Sequence, residues 1–215
     1  MLVGERMSHP VITVSPDTSV HDAFNLMKKE RINRLPVIHK GKLVGIVSDK
    51  DLLNASPSAA TTLSVWEMNY LLSKITVKEV MSKEVRTVTE DTPIEEAARL
   101  MADTEVGGLP VVRNQDVVGI ITENDLFKIM LELTGAREPG VRVTALIHEQ
   151  PGQLAKIAQA ISDAGGNFVA IGSFLGEGVS NRLLMFKISD LTLPAVERLI
   201  EPMAEKIVDI RQTQV

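Results

Sequence analysis

The apolar and polar positions of the chain repeat. Residues 35–53, LPVIHKGKLVGIVSDKDLL, are matched without a gap by residues 109–127, LPVVRNQDVVGIITENDLF. Leu109 stands 74 residues after Leu35, and the same offset links Met7-Ser8 to Met81-Ser82 and Asp17-Thr18 to Asp91-Thr92. An ungapped repeat of this length is one supersecondary unit built twice. In each copy two β-branched runs flank a short polar turn, Lys40-Gly41 and then Asn114-Gln115-Asp116, which predicts a β-hairpin. Upstream, Val20, Ala23, Phe24 and Met27 recur at i, i+3, i+4, i+7, as do Ile94, Ala97, Ala98 and Met101. That spacing predicts an amphipathic helix. The second such helix has Thr92 as N-cap, Pro93 at its first position and Glu95 two residues on. A short extended segment precedes each helix, at 11–14 and 85–88. Ser48 with Asp51, and Thr122 with Asp125, have the spacing of capping boxes and open a closing helix. The unit therefore reads strand–helix–strand–strand–helix.

Between the copies, residues 54–62 are small and polar, a loop. Residues 63–77 carry Val65, Met68, Leu72 and Ile75 at helical spacing with Trp66 and Tyr70 at i, i+4, a connecting helix whose aromatics also suit a dimer contact. The TGAREPG run at 134–140 marks a boundary. Beyond it the pattern changes. Strands are predicted at 141–148, 168–175, 182–188 and 207–211, with helices at 153–164 and 193–205. This βαββαβ order is ferredoxin-like. The fold class is α+β, with divisions at 1–60, 61–135 and 141–215.

Composition narrows the function. The 215 residues carry a net charge of −5, which argues against a nucleic-acid surface, and only 3% are aromatic, which leaves few stacking platforms. There is no cysteine, so thiolate chemistry is excluded. No apolar run reaches the length of a membrane span, and MLVGERMSHP lacks the apolar core of a signal peptide. A cytoplasmic protein with no membrane contact is the expectation. His9, His21, His39 and His148 are scattered without metal-ligand spacing, and no nucleophile motif or phosphate loop is present. No catalytic or metal residue is expected.

The paired hairpins with GIVSDKD and GIITEND, each preceded by M-S, a DT-started helix and LPV, resemble the CBS domain, in tandem. The resemblance implies a pseudo-twofold pair that senses an adenine nucleotide (AMP, ADP, ATP or S-adenosylmethionine) as a regulatory ligand. It implies that Asp51 and Asp125 accept hydrogen bonds from ribose hydroxyls, and that Ser48 and Thr122 serve ribose or phosphate. It further implies that Arg34 reaches phosphates, that Thr13, Val14, Thr87 and Val88 face adenine, and that Leu35, Pro36, Leu109 and Pro110 form apolar walls. Arg34 has Gly108 as its counterpart, so the two clefts differ. The four cleft residues read equally as helix caps that need no ligand.

The run ALIHEQPGQLAKIAQAISDAGGNFVAI resembles the ACT domain, with Glu149 where that family commonly has Asp. This implies a dimerising module in which Gly152, Gln153, Leu154 and Asn167 hold an amino acid. A CBS pair followed by an ACT domain resembles AcuB-type acetoin-utilisation proteins. The expectation is a non-enzymatic homodimeric regulator acting on a downstream target. A structural oligomeriser with empty clefts and a nucleotide-processing enzyme are the alternatives.

Overall fold

The computed structural model describes residues 1–55, 67, 70 and 73–214. The connecting helix expected around Val65, Trp66, Met68 and Leu72 lies outside the described residues, although Tyr70 is helical. The chain forms two compact units, Met1–Leu126 and Phe127–Val215.

The first unit holds both copies of the repeat. Copy one comprises α1 (Val20–Glu30), the hairpin β1 (Arg34–His39) and β2 (Lys42–Ser48), and α2 (Asp49–Asn54). A one-turn helix, α3 (Val77–Val80), leads into copy two: α4 (Ile94–Thr104), β3 (Gly108–Arg113), β4 (Asp116–Thr122) and α5 (Glu123–Leu133). The division between units falls within α5, ahead of the Gly/Pro break at 134–140. Each hairpin turns in two residues with positive φ, Lys40 at 49° and Gly41 at 78°, then Asn114 at 50° and Gln115 at 76°. Such turns match the right-handed twist of paired strands.

The extended segments before the helices are shorter than the strands expected. Each contributes one parallel bridge, Val14 to Val37 and Val88 to Val111. Thr92 is not the N-cap of α4. Pro93 takes that position, and Thr92 Oγ1 instead accepts the amide of Thr89 at 3.1 Å.

The sequence left one feature unread: the two copies exchange their leading segments. Ser8 bridges to Ile120 of copy two, and Ser82 to Ile46 of copy one. The Met7 thioether occupies the space beside Gly119, and that of Met81 the space beside Gly45. Val3, fully buried, belongs to the core of Val88, Ala97, Met101, Leu109, Val111 and Ile121. Its counterpart Val77 joins Val14, Val20, Ala23, Met27, Leu35, Val37, Val47 and Leu52. Each lobe is thus completed by the entry segment of the other. Removing Val3 or Val77 would forfeit about 2 kcal/mol of apolar burial in a core the residue's own repeat does not form.

The second unit has β5 (Gly140–His148), α6 (Gln153–Asp163), β6 (Asn167–Leu175), β7 (Asn181–Ser189), α7 (Leu193–Ile200) and β8 (Lys206–Thr213). All strand pairs are antiparallel, in the order β6-β7-β5-β8. Alternate residues of β5 and β7 (Val141, Val143, Ala145, Ile147; Leu184, Phe186, Ile188) pack on Ile157 and Ile161 of α6 and Val196 and Ile200 of α7. The helix expected to run to Glu205 stops at Ile200 and tightens into a 3-10 turn over Glu201–Met203. Pro202 cannot donate the next helical hydrogen bond. On the opposite face Lys187, 3% exposed, donates to the carbonyls of Gly135 at 2.7 Å and Glu138 at 2.8 Å, tying the segment after α5 to the sheet.

Candidate functional site

Strand β2 ends at Ser48 and β4 at Thr122, and in both cases the chain turns directly into a helix. The Asp51 carboxylate accepts the Ser48 amide at 2.8 Å and its hydroxyl at 2.7 Å, while Ser48 Oγ accepts the Asp51 amide at 3.2 Å. Asp125 accepts the Thr122 amide at 3.1 Å and hydroxyl at 2.7 Å. The Ser48–Asp51 capping box is therefore closed, contributing about 1 kcal/mol to its helix start, and the Asp125 carboxylate makes its half of the second. The bonds run to one oxygen, Oδ2, in each case. Asp51 is half-buried and Asp125 only 7% exposed.

Arg34 joins the two helix starts. It opens β1 opposite Ser48. Its side chain crosses to copy two and lies over the paired glycines that precede β3's apolar run. A Cβ on Gly107 would stand 2.0 Å from Arg34 Nη2, and one on Gly108 would stand 3.1 Å from Arg34 Cδ and 3.4 Å from Thr122 Cγ2. The absence of side chains at 107 and 108 makes the crossing possible. Glu123 Oε2 would be 2.6 Å from the same Gly107 Cβ, so the guanidinium and a carboxylate both border that empty position. Sequence reasoning passed over Glu123. Its place in T-E-N-D marks it only as a first-turn acid, and its position beside Gly107 is a tertiary fact.

Other expected residues fall elsewhere. Leu35 and Leu109 have no exposed surface and sit in the two cores, so they form no cleft wall. LPV runs are apolar at every position, and the pattern could not say which face turned inward. Val14 is also committed. Its amide donates to Pro36 O at 3.1 Å and its carbonyl accepts from Ile38 at 2.8 Å. Val88 repeats this with Pro110 at 3.2 Å and Val112 at 2.9 Å. The amides of these valines are used within the fold, while each carbonyl keeps a second lone pair for a further donor. Thr13 and Thr87 are exposed, while Pro36 and Pro110 are buried. Thr87 and Val88 line a cavity of about 270 Å³ with Thr89, Thr92, Glu96, Arg99, Leu100 and Val112, on the α4 side of the lobe. Arg34, Thr122 and Asp125 are not among its lining residues.

In the second unit Gly152 caps α6 in the left-handed conformation, φ 85°. Gln153 is buried and its amide is used. Nε2 donates to Met203 O at 2.8 Å, and Oε1 accepts from Gln150 at 3.2 Å. The backbone amide of Gln153, expected to be free at the helix start for a ligand carboxylate, donates to Gln150 O at 3.3 Å. Leu154 is half exposed and Asn167 exposed at the start of β6. Glu149, the departure from the ACT pattern, pairs with Arg182.

With this geometry in hand, comparison with known proteins is decisive for the first unit. The family model described as CBS domain matches residues 3–58 and 77–132. The chain belongs to the CBS domain family. The boundaries fall one repeat offset apart and include Val3 and Val77, the residues exchanged between lobes.

Solved structures agree. The CBS domain pair of protein MJ0100, in complex with 5′-methylthioadenosine and S-adenosyl-L-methionine, is 31% identical, with 64% of this chain and 98% of that chain covered and a TM-score of 0.52. CBSX2 in complex with AMP is 35% identical, covering 61% and 97%, with a TM-score of 0.51. A Vibrio cholerae protein assigned to acetoin utilization (AcuB) is 31% identical, covering 64% and 96%, with a TM-score of 0.52. Curated relatives vary in length. The match spans 93% of a CBS domain-containing protein of Dictyostelium discoideum but 23% of the L-aspartate semialdehyde sulfurtransferase of Methanocaldococcus jannaschii. Among the described residues, no helix is long and apolar enough to cross a membrane.

Proposed function

We propose that this CBS pair is a regulatory, non-catalytic sensor of an adenosine compound. The observation that carries the reading is Arg34 crossing from copy one to the helix start of Thr122 and Asp125. A hydrogen-bonding carboxylate, a helix N-terminus and a cation from the other copy converge there, a combination suited to a ribose and whatever its 5′ carbon bears. That a CBS pair 31% identical binds S-adenosyl-L-methionine and 5′-methylthioadenosine, and one 35% identical binds AMP, supports the adenosine part. The roles of Asp51, Ser48, Thr13 and Thr87 in the matching cleft belong to the same proposal.

The second unit is, in this reading, a ferredoxin-like ACT domain. Its strand order and its PGQL and GGN turns support the assignment. It pairs two copies of the chain into a cytoplasmic homodimer and passes the ligand signal to a downstream target. Amino-acid binding would rest on Gly152, the Leu154 amide and Asn167, the Gln153 amide being used by Gln150 O. The AcuB likeness makes acetoin utilisation the pathway to test first.

The test is thermal unfolding of the purified chain against AMP, ADP, ATP, 5′-methylthioadenosine and S-adenosylmethionine. A ligand at 100 times its Kd stabilises the folded state by about 2.7 kcal/mol. A shift with at least one of them is expected. No shift with any would favour a second reading, a scaffold whose Ser48–Asp51 and Thr122–Asp125 pairs are caps and nothing more.

A further inference from the structure

We infer that Lys187 latches the C-terminal end of α5 to the sheet of the second unit, and that this latch carries ligand occupancy at the Thr122–Asp125 helix start into that unit. This rests on the adenosine reading above and concerns how that site is read out.

Lys187 is a buried cation outside the ligand site, and both acceptors of its ammonium, Gly135 O at 2.7 Å and Glu138 O at 2.8 Å, are main-chain carbonyls of the segment after α5. Burying an ammonium is costly unless hydrogen bonds and opposite charge offset it. The end of α5 supplies both. The helix closes on a Schellman cap, in which Ala136 N donates to Leu131 O at 2.9 Å and Gly135 N to Glu132 O at 3.0 Å, with Gly135 left-handed at φ 57°. Its last turn carries no basic residue of its own. The cation that suits the negative end of the helix dipole therefore comes from β7. Space enforces the same seat. A Cβ on Gly135 would stand 2.7 Å from Val169 Cγ1 and 3.4 Å from Ala170 Cβ, so the helix end rests directly on β6.

α5 runs unbroken from Glu123 to Leu133, a rod of about 16 Å. Asp125 stands in its first turn, and the residue that caps its far end is the one Lys187 holds. Two states follow. In the latched state Lys187 grips Gly135 and Glu138. In the released state the ammonium and both carbonyls turn to water, which the surface position of Glu138 allows. A ligand that restrains the first turn of the rod restrains its far end, and so favours the latched state. It shifts the two states only by its difference in affinity for them, and the coupling is reciprocal.

The experiment is amide hydrogen exchange of the full chain, with and without saturating AMP, ATP or S-adenosylmethionine, on wild type and Lys187→Met, together with the Kd of each compound. In wild type a bound compound should slow exchange at 135–140 and along β7 by about fivefold or more. In Lys187→Met it should still slow exchange at 122–126 and leave 135–140 and β7 unchanged. By reciprocity its Kd should rise in the variant by the same factor by which it slowed exchange in wild type. Ile188→Val, in the core on the other face of β7, weakens the sheet without touching the latch and should leave the Kd unchanged. Protection confined to the first unit in wild type, a result that needs no variant, or a Kd unchanged in Lys187→Met, would overturn the inference and leave the adenosine reading intact. Absence of binding by all three compounds would overturn the adenosine reading itself, and this inference with it.

Discussion

Arg34 fills the place that a side chain at position 107 would occupy, its Nη2 lying 2.0 Å from where the Cβ would stand. The repeat makes this asymmetric. The counterpart of Arg34 is Gly108, so only one guanidinium crosses, and only toward copy two. Gly107→Ala should therefore displace the Arg34 head group while leaving the fold intact, because the far end of a flexible side chain can yield. The expected outcome is a melting temperature within a few degrees of wild type, with a changed affinity for the adenosyl ligand. A large loss of stability would mean that Arg34 is held more rigidly than its geometry implies.

The exchange of leading segments makes its own prediction. Gly45 and Gly119 each face a methionine of the other copy, with Sδ 2.4 and 2.3 Å from the absent Cβ and a serine carbonyl at 3.0 and 3.2 Å. Gly45→Ala and Gly119→Ala should each cost about 1–3 kcal/mol through overpacking, read from urea midpoints. Equal effects at both positions would reflect the pseudo-twofold. A neutral result at either would deny that the Met7 or Met81 segment is seated as described.

The turns offer a gain instead of a loss. Gln115 adopts φ 76° in a position where copy one has Gly41 at 78°. Gln115→Gly relieves that conformation and should stabilise the protein by about 1 kcal/mol. Gly41→Ala should destabilise it, although nothing lies within 4 Å of the new Cβ, because the penalty is in the backbone.

Much of this architecture was legible in the residues. The offset of 74 fixed two equal units, the Lys40-Gly41 and Asn114-Gln115 turns fixed two hairpins, and the pairing of Arg34 with Gly108 announced inequivalent clefts. The exchange was not legible, since Met7 precedes its own hairpin by the same distance that Met81 does, whichever lobe receives it. Leu35 and Leu109 were misplaced because an all-apolar strand has no polar face to orient it. Pro202 was read through as helix because the stripe of Val196 and Ile200 continues in sequence to Met203.

Acid stability has a specific contributor. Glu79 closes the capping box of α3, accepting the Thr76 amide at 2.8 Å and hydroxyl at 2.7 Å. The Thr76 amide, then its hydroxyl, hold the Glu79 carboxyl below its ordinary value of 4.5. A carboxyl depressed in the folded state adds stability that is present above its unfolded value and lost as pH falls through the folded one. In Glu79→Gln, urea stability should therefore vary less with pH than in wild type below about 4.5. Parallel pH profiles would show that the capping box contributes nothing.

The most direct test of the central claim is calorimetric titration of AMP and of S-adenosylmethionine into wild type and Asp125→Asn. The amide oxygen of asparagine still accepts the Thr122 amide, so the cap survives, but the charged acceptor for the ribose hydroxyls is gone. A hydrogen bond to a charged group contributes about 1.5–3 kcal/mol. The account predicts saturable binding by wild type, weakened at least tenfold in Asp125→Asn at unchanged melting temperature. Equal affinity in the two proteins would contradict it.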